Sequence, residues 1–506
     1  MASAADQAAG ESGVSGFVGS LIPGFNFAAR VNLSESYATN VSGYSTGARS
    51  DWITNAGIGL NMNQHSARVS FDANYNGSVY LYAGDTQNTQ FTNDLQALGT
   101  IIVIPDYVNF NARAFAQPVV TSNVGIVTAG GPQGNNGFNN SYGFSGGPDI
   151  TFRLGNFANS VTTATYGAAY FTQPNGFTFP GIPGVAGPQN TEMRSFSQKF
   201  LSGTDFSRLN WSLVGMMQEM DRPQGLFSEK TAVGHFQFAI NREISLLGTG
   251  GYDKISNTRP LSKDLSGPIG MGGIALTLGE DFYLQFEVGE KYQDISYQGS
   301  LRWNIGPTAV LTGSATDTVT TPEGQLLDSL SSLTASSNGA LTSSAALYGN
   351  GSTSALSSFN AQGSGSLSYN QNISRYQSIN LNYSQDFGRD HAMVAIYASK
   401  QTILDMFFFG PPETNSWGAN ATFSHDLTRL MSASVGGGYT RYQELGGHAG
   451  VYNVNAGLNY TLSPSTSVYL RGDYLTRKSS TTLQNLSPFT GSLDDIRVTV
   501  GLSHEL

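Results

Sequence analysis

Two Gly-x-Ser-x-Gly pentapeptides, Gly43-Tyr44-Ser45-Thr46-Gly47 and Gly143-Phe144-Ser145-Gly146-Gly147, are the nearest approach of this sequence to a catalytic nucleophile. A serine of that kind sits on a strand-to-helix turn of an α/β sheet and needs a histidine and an acid from elsewhere. Neither pentapeptide has that setting, and a chain with 61 glycines is expected to contain such a match by chance. Six histidines are scattered without His-Glu-x-x-His spacing, and cysteine is absent. No metal site, no cofactor and no thiol chemistry is therefore predicted. Gly270-Met271-Gly272-Gly273 lies within a strand-like pattern and reads as close backbone packing rather than a phosphate cradle. The sequence is read as that of a non-enzyme. What remains with chemistry to offer is a set of charges at alternate positions of polar/apolar segments: Arg30, Arg68, Arg113, Arg153, Arg302, Arg471 and Arg497, with Asp72 and Glu287. Charges placed so line a pore, where rings of Arg favour anions. Arg side chains paired with inward acids such as Asp149, Asp473 and Glu505 would instead brace the wall, and both readings stand at this point. Tyr107 and Tyr469 are expected to face the same lumen.

The elements that must position these charges are strands of period two. Phe25, Phe27, Ala29, Val31 and Leu33 share one face, opposite Asn26, Arg30, Asn32 and Ser34. Tyr452, Val454, Ala456, Leu458 and Tyr460 oppose Asn453, Asn455, Gly457 and Asn459, and similar segments run from one end of the chain to the other. Apolar-out, polar-in alternation over about 10 residues is the signature of a transmembrane barrel. Short turns, for example at Gly155-Asn156, Gly279-Glu280-Asp281, Gly306-Pro307 and Ser463-Pro464-Ser465, alternate with polar loops at 40–50, 118–141, 172–190, 255–266, 403–413 and 478–490. The predicted fold is all-β: an antiparallel transmembrane β-barrel over 25–506 of about 22 strands (18–24 by turn counting). Residues 1–24 are assigned to a periplasmic N-terminal segment. Composition agrees: charged residues are 12% of the 506, about half the usual share. Apolar runs are far short of the roughly 18 residues a membrane helix needs, and the 11% aromatic content argues against disorder. The net charge of −10 argues against nucleic acid. No signal-peptide pattern precedes the first strand, so the chain reads as a mature form in the bacterial outer membrane.

One segment breaks the period. Thr321-Pro322-Glu323 resembles a helix start, with Thr321 as N-cap, and Leu326, Leu327, Leu330 and Leu333 mark one face of a helix. The insertion 320–373, partly helical and then Gly/Ser/Asn-rich, is predicted to leave the outer rim and to serve as a lid or constriction.

The segments Val31-Asn32-Leu33-Ser34-Glu35-Ser36-Tyr37, Asp106-Tyr107-Val108-Asn109-Phe110-Asn111-Ala112-Arg113, Phe152-Arg153-Leu154-Gly155-Asn156-Phe157 and Asp317-Thr318-Val319-Thr320-Thr321 resemble an outer-membrane β-barrel porin family. That family is associated with exopolysaccharide and PEP-CTERM/exosortase gene clusters. The resemblance implies an exit channel for a secreted exopolysaccharide, in contact with outer-membrane lipid and with periplasmic export proteins, and it transfers no catalytic residue. A general diffusion porin for small polar or anionic solutes is the alternative, with a barrel enzyme or an adhesin behind it.

Overall fold

The computed structural model describes residues 25–41, 47–120, 127–128, 131–132, 138–171, 190–222, 225–258, 261, 263–321, 324, 333–335, 341–343, 373–404, 413–444, 447–480 and 492–506. The assigned periplasmic segment 1–24 lies outside them. Among the described residues, 22 strands form one antiparallel sheet in which each strand pairs with its neighbours in sequence. The sheet closes on itself: the first strand, Phe25–Ala38, pairs with the last, Leu493–Glu505, from Arg30 opposite Glu505 to Ala38 opposite Arg497. Closure leaves no unpaired backbone edge, which is the condition for crossing a bilayer with strands.

Alternation sets the two faces. In Gly447–Ser463, Tyr452 and Tyr460 bracket Val454 and Leu458, all four exposed on the outer surface. Those positions meet lipid, and the tyrosines stand at the two interfacial levels. Aromatic clusters mark the same two belts elsewhere. Tyr37 against Trp52 and Trp417 against Tyr439 lie toward the long-loop end. Phe157, Phe206 and Trp211 cluster at the short-turn end. The short-loop end is periplasmic and the long-loop end extracellular. A closed 22-stranded barrel with this lipid-facing band is a protein of the bacterial outer membrane.

The turns at the periplasmic end fall where turn chemistry places them, Gly279 and Gly306 sitting at φ 65° and 69°. The outer end departs from simple short/long alternation. Leu209–Arg222 and Gly225–Ala239, Phe282–Lys291 and Asp294–Ile305, and Met431–Glu444 and Gly447–Ser463 are each separated there by two residues only. The middle one, Tyr292–Gln293, takes φ 59° and 54°, the backbone of a type I′ hairpin turn usually given to Asn-Gly. The Tyr292 ring is buried in the largest apolar cluster among the described residues.

In the insertion, Leu326, Leu327 and Leu330 lie outside the described residues. Leu333 is not helical: Leu333–Ala335 is a strand paired with Leu341–Ser343, Thr334 opposite Thr342. β-Branched and hydroxyl residues in direct register favour that hairpin over a helix turn. The N-cap itself is present, since the Thr321 hydroxyl accepts the Gly324 N–H at 3.0 Å.

Candidate functional site: the inner wall of the barrel

A barrel of 22 strands encloses a lumen too wide for its own wall side chains to fill. In the periplasmic half the inward side chains of Arg30, Arg153 and Arg302 are exposed to solvent. In the outer half many inward side chains are buried. Phe171, Met193, Met220, Phe227 and Ile255 face inward from five successive strands, and with Phe115 they join one buried cluster with Tyr292, Val319, Ile373 and Leu404. On the other side Tyr442, Val451, Leu475 and Leu493 form a second buried cluster, and Ala38, Val41, Ile53 and Tyr82 a third.

The described residues of the insertion touch the wall at two places. Thr321 is 0% exposed, and its hydroxyl lies 3.6 Å from the sulfur of Met220, on a strand well round the wall. The hairpin of Leu333–Ala335 and Leu341–Ser343 lies against Val69–Tyr82 and Gln90–Ile104. Those strands are about half the circumference away from Ala309–Thr320, where the insertion begins. Described parts of the insertion thus lie on opposite sides of the barrel.

Its root is held by an ion-pair cluster. Arg375 donates from Nε to Asp317 Oδ1 at 2.9 Å and from Nη2 to Asp317 Oδ2 at 2.5 Å. Nη1 reaches Asp294 Oδ2 at 2.9 Å, and Nη2 also donates to the Ile295 carbonyl at 2.7 Å. Gln377 adds a bond to Asp317 at 3.1 Å. Pairing of Ala309–Thr320 with Asp294–Ile305 ends at Gly299 opposite Ala315; beyond it the two strands part, and Arg375, from the next strand, reaches Asp294 and Ile295 beside the hairpin turn. The Arg375 guanidinium lies 5.8 Å from the centre of the Tyr292 ring. Sequence reasoning missed this cluster. Asp317 and Arg375 sit on either side of the insertion, and nothing local announces that their two strands are neighbours.

The predicted pore residues are distributed as follows. Arg30, Arg113, Arg153, Arg302, Arg471, Arg497, Asp72 and Glu287 stand on strand positions that face the lumen. Arg68 does not: it lies in the turn between Asp51–His65 and Val69–Tyr82, beyond the strand end that alternation gave it. Tyr107 likewise sits in a turn, its ring against the outward Phe152 at 6.4 Å, whereas Tyr469 points inward over Gly501. The inward arginines form no ring. Arg471 is bound by Asp473 at 2.9 Å and Arg30 by Asn76 at 3.0 Å. Arg497 is 1% exposed, with Asp495 at 3.9 Å. Glu287 accepts from Thr249 at 2.9 Å and from Gln298 at 2.5 Å, and Thr249 meets His235 at 2.9 Å. Reaching Thr249 takes the Glu287 side chain across Gly273, where a Cβ would lie 2.8 Å from Glu287 Cγ. Much of the remaining inner wall is neutral, as in Thr316 with Ser378, Ser399 with Ser416 and Tyr397 with Thr440. Ser145, of the second Gly-x-Ser-x-Gly match, sits mid-strand, and no group of acids and histidines able to hold a metal occurs among the described residues.

No protein-family model and no curated protein matches the sequence. Solved structures match in architecture. The FrpB iron transporter from Neisseria meningitidis, in its F5-1 apoprotein form, gives a TM-score of 0.50 at 11% identity, covering 95% of this chain and 81% of that one. The siderophore receptor PirA from Acinetobacter baumannii gives 0.50 at 9% identity, over 94% and 80%. At these identities the likeness is one of fold. The chain is a 22-stranded bacterial outer-membrane β-barrel, built on the architecture seen in those transporters.

Proposed function

We propose that the barrel is an outer-membrane exit channel for a secreted polysaccharide, held shut at its outer end by its own insertion. The observation that carries this reading is the asymmetry of the lumen: inward side chains such as Arg30, Arg153 and Arg302 are exposed in the periplasmic half, while inward side chains of the outer half gather in buried apolar clusters. A conduit for material arriving from the periplasm needs that polarity, with opening at the outer end as the controlled step. The chemistry of the wall supports a cargo rich in hydroxyls. Amide and hydroxyl groups are frequent on it, and two of the inward arginines, Arg471 and Arg30, are engaged by Asp473 and Asn76. Periplasmic export proteins that deliver the chain are the partners this reading calls for.

A second reading, uptake of a solute bound at the outer face, is favoured by the fold likeness to iron and siderophore transporters. Bilayer conductance separates a closed channel from an open porin. The intact protein is expected to conduct little, and replacing 325–372 by a short Gly/Ser link is expected to open a large, stable conductance. Equal conductance of the two proteins refutes closure by the insertion. Loss of secreted polysaccharide on gene deletion, with small-solute uptake unchanged, is the outcome expected for export. Intact secretion refutes it.

A further inference from the structure

Outside the lumen, on the lipid-facing surface near the extracellular edge, the barrel carries a row of groups that the channel reading does not use. Arg441, Gly450 and Lys478 stand opposite one another on three adjacent strands, and Trp417 extends the row beyond Arg441. All four positions are on the outward face, because the same register places Tyr439 beside Tyr452 and Leu458 beside Leu470, exposed apolar side chains of the lipid band. One step toward the bilayer centre, the Tyr439 and Tyr452 rings meet at 4.6 Å, and Trp417 packs edge-on against Tyr439 at 5.3 Å.

Gly450 lacks the side chain that would separate the two cations, and a Cβ there would touch the Tyr439 ring at 3.3 Å. The result is a pocket of about 280 Å3 between Arg441, Lys478 and His448, floored by the two tyrosines. Neither Arg441 nor Lys478 has an ion-pair partner among the described residues. The nearby outward acids are engaged elsewhere: Glu413 with Lys400 at 2.9 Å, and Asp494 accepts from the Tyr474 hydroxyl at 3.3 Å. Two cations over an aromatic floor, at the level where the acyl region gives way to headgroups, present charge to an anion and apolar surface to its tail.

We propose that this pocket binds a phosphate of the lipid A headgroup in the outer leaflet, Arg441 and Lys478 gripping the phosphate while the sugar ring rests on Tyr439 and Tyr452. The guanidinium offers a planar pair of donors to phosphate oxygens and the ammonium a compact charge. The ligand is a lipid, not the channel's cargo, so the assignment stands or falls independently of export.

The test measures retention of lipid A by the full-length protein in phosphatidylcholine vesicles doped with bis-phosphorylated lipid A, with co-purifying lipid counted by native mass spectrometry. The charge-reversed variant Arg441→Glu/Lys478→Glu is expected to lose retention by roughly tenfold or more, each surface cation being worth about a factor of five. The charge-keeping variant Arg441→Lys/Lys478→Arg is expected to hold most of it and shows that folding is intact. Dephosphorylated lipid A is expected to bind the wild type as weakly as lipid A binds the reversed variant. Equal retention by the wild type and the reversed variant overturns the site, as does equal binding of the dephosphorylated lipid. Displacement of lipid A by millimolar inorganic phosphate overturns the lipid assignment in favour of a free-anion site.

Discussion

Replacing Asp317 by Ala tests whether the clasp at the root of the insertion is a structural necessity. The Asp317 side chain is 1% exposed and that of Arg375 8%. Removing Asp317 strands two guanidinium donors and the amide donor of Gln377 in a buried place. Breaking a buried pair from one side costs about 3–5 kcal/mol, because the surviving charge is left uncompensated. Asp294 remains to Arg375, but at 55% exposed it lies largely in solvent, where an ion pair is worth at most about 1 kcal/mol. Asp317→Ala is therefore expected to lose about 3 kcal/mol or more in urea unfolding from vesicles. Asp317→Asn, which keeps one acceptor, is expected to lose about half as much, and Asp294→Ala less than about 1 kcal/mol. The apolar pair Asp317→Leu/Arg375→Met is expected to recover most of the loss, since a well-packed substitute avoids the desolvation of both ions. In bilayers the Ala variant is also expected to show frequent brief openings, because the insertion is anchored beside this pair. Equal costs for Asp317→Ala and Asp294→Ala, or a double variant that loses the sum of its singles, would refute the argument.

Adjacent glycines give an internal control on barrel packing. A Cβ on Gly273 would sit 2.0 Å from the Phe286 carbonyl oxygen, whereas one on Gly272 meets nothing within 4 Å. Gly273→Ala is expected to impair assembly into the heat-modifiable barrel seen on gels and Gly272→Ala to leave it unchanged, and similar behaviour of the two refutes the close approach. At the lipid face, Val454 is 52% exposed in mid-strand, so Val454→Arg is expected to cost about 2–4 kcal/mol in unfolding from vesicles. Its inward neighbour Asn455→Arg is expected to cost under about 1 kcal/mol, and a reversed order would invert the assigned faces. Because the chain has no cysteine, single cysteines can map the lumen: Arg302→Cys is expected to react with a membrane-impermeant maleimide added to spheroplast-side preparations and not from outside intact cells. Labelling from outside would show an open mouth.

The division between sequence and structure follows from the range of the forces involved. Alternation is local, each side chain taking its face from its neighbours one position away. Val31 and Leu33 therefore read as lipid-facing and Arg30 as lumenal before any pairing was known, and the strand total, the periplasmic turns at Gly279 and Gly306 and the outer-membrane setting followed from repetition. Arg68 and Tyr107 were misplaced for the same reason, since alternation cannot see where a strand stops and a turn begins. The helical spacing of Leu333 failed against a cross-strand partner, Ser343, that no local pattern announces. What needed the tertiary structure was everything that joins distant strands: Asp317 to Arg375 across the insertion, Glu287 to Thr249 over Gly273, and the Arg441–Gly450–Lys478 row. It also took the closed sheet to show that the low-charge wall encloses a lumen whose inward side chains are exposed toward the periplasm and clustered in buried apolar groups toward the outer end. Which residues face inward is set by the pleat of one strand, but what occupies the space they face is set by the packing of the whole chain.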